Sequence, residues 1–212
     1  MFEQITRQHN EALDEIIKAR HTVRAFEPEA PDEEDIRAII QAGLLAPFGA
    51  VAVAGKPDFK KVLVIPGTSL KMTIAAQILQ ARMGKFTAEM AQKGAPTPFV
   101  QRLKDFAEHG VPGVGNAPYL VIVAERNGMP PVAPLSLSYC LANMWLKATA
   151  LGIGLQLVSA IRQLDQDQEF CDLIGLPSGE YSLDACALGY PADTYQPPQV
   201  EYPSLEQAVE WL

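Results

Sequence analysis

Basic residues are in short supply in this chain: 25 Asp and Glu stand against 17 Lys and Arg, for a net charge of −8. A surface with that balance repels nucleic acid and anionic lipid unless its cations gather in one place, so neither a nucleic-acid nor a membrane partner is expected. Cysteine is scarce as well. Cys140, Cys171 and Cys186 are odd in number, lie in apolar surroundings and lack a Cys-x-x-Cys spacing. That pattern points to buried free thiols in a reducing compartment, not to a disulfide frame or a metal site. The three histidines, His9, His21 and His109, are scattered. No apolar run approaches the ~18 residues of a membrane span. The start, Met1-Phe2-Glu3-Gln4, has neither the basic nor the apolar region of a secretory leader, so a cytoplasmic location is expected. There is no Walker A sequence and no Gly-x-Ser-x-Gly elbow. Gly110, Gly113 and Gly115 precede a strand and do not join a strand to a helix, which excludes a dinucleotide fingerprint.

What remains is an ordinary globular composition over 212 residues, 48% apolar and 20% charged, without repeats or low-complexity segments. One domain of this size buries roughly 70–75% of its unfolded surface. Apolar spacing predicts a first helix over Thr6 to Arg20 and a second after Pro31, capped by Asp32 and carrying Ile36, Ile39, Ile40, Leu44 and Leu45 to Ala46-Pro47. A helical region over Ser69 to His109, broken at Gly94-Ala95-Pro96, follows a strand at Lys61–Ile65, and Gly110 is its C-cap. Strands are predicted at Tyr119–Ala124, Leu155–Val158 and Leu183–Leu188, and helices over Leu135 to Leu151 and Gln166 to Ile174. The chain then runs extended through Pro197 and Pro198 into a short helix, Leu205 to Trp211. Helices alternating with a few apolar strands imply a sheet sandwiched by helices. Ile78, Leu79, Met83, Phe86 and Met90 offer more apolar surface than a solvent-facing helix needs, from which a homodimer sharing that surface is inferred.

Against this acidic background one stretch stands out: Arg20-His21-Thr22-Val23-Arg24-Ala25-Phe26. In an extended chain side chains alternate, so Arg20, Thr22 and Arg24 face one way and His21, Val23 and Ala25 the other. Two guanidinium forks flanking a hydroxyl form a small oxyanion receptor. The competing reading is that the arginines pair with Glu27, Glu29, Asp32 or Glu33 nearby. Helical spacing assigns Tyr139 and Trp145 to the core, and Lys56, Lys60 and Lys61 are read as solvated strand-flanking lysines.

Five segments in order resemble the nitroreductase family of flavin-dependent oxidoreductases. Ile16 to Phe26 is similar to its opening Arg-x-Ser-x-Arg/Lys-x-Phe, with Thr22 in the serine place. Ala117-Pro118-Tyr119 to Val123 resembles its Ala-Pro-x strand, and Leu141-Ala142-Asn143 to Gly154 its Asn-x-x-x-x-Ala-x-x-x-Gly-x-Gly helix. Leu173-Ile174-Gly175-Leu176-Pro177 and Ala187-Leu188-Gly189-Tyr190-Pro191 resemble its closing pair. The resemblance implies a single α+β domain over residues 1–212, with a central, mostly antiparallel sheet flanked by helices, in an intertwined homodimer. The arm from about 192 to 212 would pack on the partner subunit. It implies FMN in a cleft at the dimer interface, reduced by NAD(P)H and reoxidised by a small planar acceptor, which explains why no acid/base pair or nucleophile is visible. Implied cofactor contacts are Arg20, His21, Thr22 and Arg24, the Pro47-Phe48-Gly49 turn, and Leu157, Val158 and Ser159, whose backbone would lie near the flavin N5 edge.

The chain departs from that pattern twice. Where the family carries an Asn and then Gln-Pro-Trp, it reads Phe48-Gly49-Ala50-Val51-Ala52-Val53-Ala54-Gly55. Where the family closes on the phosphate with Arg or Lys, it has Gln199 and Glu201. The resemblance therefore loads most of the anion binding onto Arg20, Thr22 and Arg24. The alternative it leaves is a relative that binds another ligand in the same cleft.

Overall fold

In a computed structural model the described residues are 6–197 and 199–211. The first four residues, Met1-Phe2-Glu3-Gln4, and Pro198 lie outside them. In chain order the elements are α1 (Arg7–Ala19), α2 (Glu33–Leu44), β1 (Lys60–Pro66), α3 (Leu70–Gln92), α4 (Thr97–His109), β2 (Tyr119–Arg126), α5 (Ala133–Ala150), β3 (Gly154–Leu157), α6 (Gln168–Ile174), β4 (Tyr181–Gly189) and α7 (Leu205–Ala208). A 3-10 turn over Ser159–Leu164 links β3 to α6 and has no counterpart in the sequence reading. The strands form a four-stranded sheet in the order β1-β2-β4-β3, with every neighbouring pair antiparallel.

Strand β2 explains the layering. Leu120, Ile122 and Ala124 point into one core with Met72, Leu79, Met83, Phe170 and Ile174. Val121 and Val123 point into the other, under Ile39, Leu137, Leu141 and Met144 of α2 and α5. Helices cover both faces, so β2 reads as one continuous apolar run and shows no alternation. The α2–α5 contact is close: a Cβ on Gly43 would meet the Cγ of Met144 at 2.6 Å.

The α+β class and the antiparallel sheet are as expected, with three corrections in detail. Ile78, Leu79 and Met83 are buried inside the chain, with Phe86 and Met90 packed against the same cluster, because α4 folds back along α3. Ile78, Leu79 and Met83 are therefore core of this chain and not the open surface expected of them. Tyr139 is 45% exposed and is not core, whereas Trp145 is half-buried and packs against the α2–α5 side of the core. Lys60 is not solvated: its side chain is 6% exposed and lies 3.2 Å from Glu125, 0% exposed, its cross-strand partner. Smaller differences concern helix ends. Asp32 sits at the α2 N-cap without a side-chain cap bond, and α7 stops at Ala208.

The Lys60–Glu125 separation is that of an ion pair, yet neither group makes a hydrogen bond of good geometry. Charge attraction alone offsets their desolvation. Removing one partner leaves the other buried and uncompensated. Glu125→Leu is therefore expected to lower unfolding free energy by about 3–5 kcal/mol, and Lys60→Met with Glu125→Leu to recover most of it, as read by urea denaturation. Equal loss in the single and double variants would contradict this account.

Candidate functional site

The 20–26 segment is held as an extra strand along the open edge of β3. Arg20 leaves α1 in an extended conformation, Thr22 forms a parallel bridge with Leu155, and the Val23 N–H donates to the Leu155 carbonyl at 3.2 Å. Farther on, Phe26 bridges Pro191, and the Ala192 N–H donates to the Ala25 carbonyl at 3.0 Å. Val23 is buried against Gly154, where a Cβ would come within 2.8 Å of its side chain. With Val23 turned inward, alternation sends Thr22 and Arg24 to the opposite side.

There they line a cavity of about 270 Å³. Its other lining residues are Gln156 to Ala160, Val111, Trp145, and Arg102 and Phe106 of α4. Arg20 sits beside it, with its guanidinium carbon 4.4 Å from the centre of the Trp145 ring and Nη2 donating to the Tyr202 hydroxyl at 3.4 Å. Thr22 also borders a second hollow of about 410 Å³, shared with Lys18, Arg20, His21, Val200 and Tyr202. Other contacts brace the segment. The Trp145 indole N–H donates to the His21 carbonyl at 3.2 Å, the Tyr195 hydroxyl donates to the Thr22 carbonyl, and the Tyr195 ring stacks on His21 with centroids 5.9 Å apart.

At the β3 end the Val158 N–H is committed to the Ala185 carbonyl at 2.8 Å. Ser159 opens the 3-10 turn, so its N–H has no acceptor within the turn. The turn is anchored by Arg162, which donates from Nε to buried Asp184 at 2.9 Å. Gln156, 7% exposed, donates from Nε2 to the Pro112 carbonyl at 2.8 Å and has no partner for Oε1.

The structure thus gathers Thr22, Arg24, Leu157, Val158 and Ser159 round one cavity, with Arg20 and His21 on the adjoining hollow. It does not bring Pro47, Phe48 and Gly49 there. Phe48 stacks on Phe59 with centroids 4.7 Å apart, and the Gly49 N–H donates to Ser136 Oγ at 3.2 Å. Ala52 and Val53 of the same loop are buried. Those two residues serve the chain's own packing, while Phe48 and Val51 remain exposed. Pairing of the arginines with nearby acids is not realised: Glu33 holds Arg37, and Glu27 accepts from the Asp193 N–H at 2.9 Å. Gln199 and Glu201 are exposed and border neither hollow. Trp145, Gln156, Arg102 and Phe106 were not readable as site residues. Arg102 and Phe106 share an i, i+4 face, but only the packing of α4 turns that face to the cavity.

The cysteines take no part. All three are buried, and burial pushes the Cys140, Cys171 and Cys186 thiols above their ordinary range, away from the nucleophilic thiolate. Among the described residues no group of three or more His, Cys, Asp or Glu side chains is gathered for a metal, and no helix is long and apolar enough to cross a membrane.

A family model described as Nitroreductase family matches residues 17–190. Among solved structures, the chain is similar to a nitroreductase with bound FMN from Bacteroides fragilis NCTC 9343, at 22% identity and TM-score 0.72, covering 91% of this chain and 95% of that one. It is also similar to an oxidised iodotyrosine deiodinase bound to FMN and 3-iodo-L-tyrosine, at 20% identity and TM-score 0.67, with 94% and 98% covered. An FMN- and NADPH-dependent nitroreductase from a Sphigopyxis strain matches at 17% identity and TM-score 0.64, with 94% and 98% covered. No match was found among curated proteins.

Trp145→Leu removes both the indole bond to His21 and the ring beneath Arg20. The expected cost is about 1–2 kcal/mol of stability, with faster tryptic cleavage after Arg20 and Arg24 as the segment loosens. Unchanged cleavage would show that the edge pairing with Leu155 holds the segment unaided. In the native state at pH 8 the three thiols should stay unlabelled by a thiol reagent and react once the chain is unfolded.

Proposed function

The chain belongs to the nitroreductase family, and from that premise we propose that it is an FMN-dependent oxidoreductase. It takes reducing equivalents from NAD(P)H and passes them to a nitroaromatic, quinone or similar planar acceptor. The observation that carries this reading is the single cavity shared by Thr22, Arg24 and residues Leu157 to Ala160. The FMN named with three of the similar structures supports the choice of cofactor.

The residues present fit such a group. Arg20 and Arg24 have no carboxylate partner among the described residues, and Gln156 holds a buried acceptor atom without a donor. When bound, FMN supplies the redox chemistry. Thr22 and Arg24 hold its phosphate and ribityl chain, and Arg20 adds positive charge from the face of Trp145. Because the Val158 N–H is already committed, the backbone donors left here for a bound flavin would be those of Leu157 and of Ser159, the latter at the opening of the turn, and such a donor would favour the reduced state. The Arg162–Asp184 tie keeps the Ser159 donor in place. Trp145 and Phe106 exclude water from the same cavity.

The turn at Pro47, Phe48 and Gly49 does not reach the cavity of its own chain. As flavin contacts, these residues serve the cleft of a second copy, in a homodimer. Apolar surface available for that contact includes Leu13 and Ile17 of α1 and Leu135 and Tyr139 of α5, all exposed in the single chain. The exposed apolar side chains of the arm, Tyr202 and Leu205 among them, are further candidates.

A second reading, a non-catalytic relative holding another ligand, is favoured by one observation. The loop from Phe48 to Gly55 offers no side-chain amide, and its Ala52 and Val53 are spent on packing. The visible spectrum decides between the two. Purified protein is expected to show oxidised-flavin bands that bleach on adding NAD(P)H, whereas a colourless protein that takes up no added FMN sinks the enzyme reading. Arg20→Ala is expected to weaken FMN retention about tenfold, since positive charge beside the phosphate is lost. Apo-protein stability should fall far less, because the contact with Trp145 is worth only about 0.5–1 kcal/mol.

A further inference from the structure

The chain has eight arginines, and its ion pairs divide them into two groups. Arg7, Arg37, Arg82, Arg126 and Arg162 each hold a carboxylate. Arg20, Arg24 and Arg102 hold none among the described residues. In an acidic chain the unpaired three could have been scattered over the surface, yet they share one place. Arg24 and Arg102 line the same cavity, and Arg20 lies on the ring of Trp145, which lines it as well.

Arg102 comes from α4, opposite the 20–26 segment in sequence and in fold. Its guanidinium carbon is 5.4 Å from the centre of the Phe106 ring, and both residues line the cavity. The nearest acid along the helix, Asp105, accepts instead from Gln101 at 3.1 Å. Arg24 and Arg102 are both exposed residues that line this cavity, and no acidic residue lines it with them. Cations gathered without counter-charge raise the local positive potential, and an anion placed between them relieves their repulsion. The cavity also holds the Thr22 hydroxyl as a neutral donor.

We propose that Arg102 is an anion-binding residue of this cleft. Together with Arg24 it takes a phosphate or carboxylate of the bound ligand, the role that Gln199 and Glu201 cannot fill. The proposal rests on the flavoprotein reading above. Its anion has two sources: the phosphate of the cofactor, or an acidic group on the acceptor that docks beside it.

Titration of apo-protein with FMN and with riboflavin, followed by quenching of flavin fluorescence, tests this. The variants are Arg102→Ala, Arg102→Lys and Lys104→Ala; Lys104 is exposed on the same helix and does not line the cavity. If the anion is the cofactor phosphate, Arg102→Ala raises the FMN Kd about tenfold and leaves riboflavin unchanged. Arg102→Lys then falls between the two, because an ammonium does not reproduce the guanidinium fork. If the anion belongs to the acceptor, Arg102→Ala leaves both Kd values unchanged. It then raises KM for para-nitrobenzoate about tenfold, with no change for nitrobenzene. The proposal is overturned if Arg102→Ala weakens FMN and riboflavin alike, if it changes none of these quantities, or if Lys104→Ala has the same effect. Wild-type protein that binds neither flavin overturns the function reading and, with it, this proposal.

Discussion

The cleft depends on the packing of Val23 against Gly154. Gly154 opens β3, and any side chain there would occupy the space that the Val23 side chain fills. Because Val23 seats in that notch, the segment lies close enough for Thr22 to bridge Leu155 and for the Val23 N–H to reach its carbonyl. From there strand geometry does the rest. A side chain turned inward forces its two neighbours outward, so one buried valine directs a hydroxyl and a guanidinium to the same cavity. Trp145 and Tyr195 brace the segment through backbone carbonyls, which leaves the polar side chains available for a ligand.

The position of the cavity follows from the layering. The central strands β2 and β4 are covered on both faces and have no room for a site. The end of β3 is the place where a sheet edge, a helix start and a returning segment meet. Polar groups are left open there: a backbone N–H at the opening of the turn at Ser159 and the orphaned side-chain oxygen of Gln156. Buried Asp184, held by the exposed Arg162, fixes that turn. An N–H aimed at a reactive atom is useful only if the turn that carries it cannot drift.

Electrostatics reinforces the same location. The net charge of −8 makes any uncompensated cation conspicuous, and the chain's acids neutralise its other arginines while leaving the cleft group alone. Departures from the family pattern have different explanations. In the apolar loop from Phe48 to Gly55, the Phe48 ring lies 5.4 Å from Lys60 Nζ of the buried Lys60–Glu125 pair, and Ala52 and Val53 are buried, so part of its composition answers to the core. For the missing C-terminal base the proposed substitute is Arg102, which enters from an element far away in the chain.

Local signals were enough for most of the fold. Periodicity located the helices and the four strands to within a few residues, and the Pro and Gly breaks placed their ends, because these properties depend on neighbours three or four positions away. The alternation of Thr22 and Arg24 against Val23 was readable for the same reason. What lay beyond the sequence was every property that depends on distant partners: the burial of Lys60, the exposure of Tyr139, the core role of Met83, and the place of Trp145 and Arg102 on the cavity wall. A lysine or an arginine carries the same local signature whether it is solvated, paired or facing a cleft. Only the packing of α4 and α5 against the β3 edge determines which of these it is, since burial and charge pairing are set by side chains brought together across the fold.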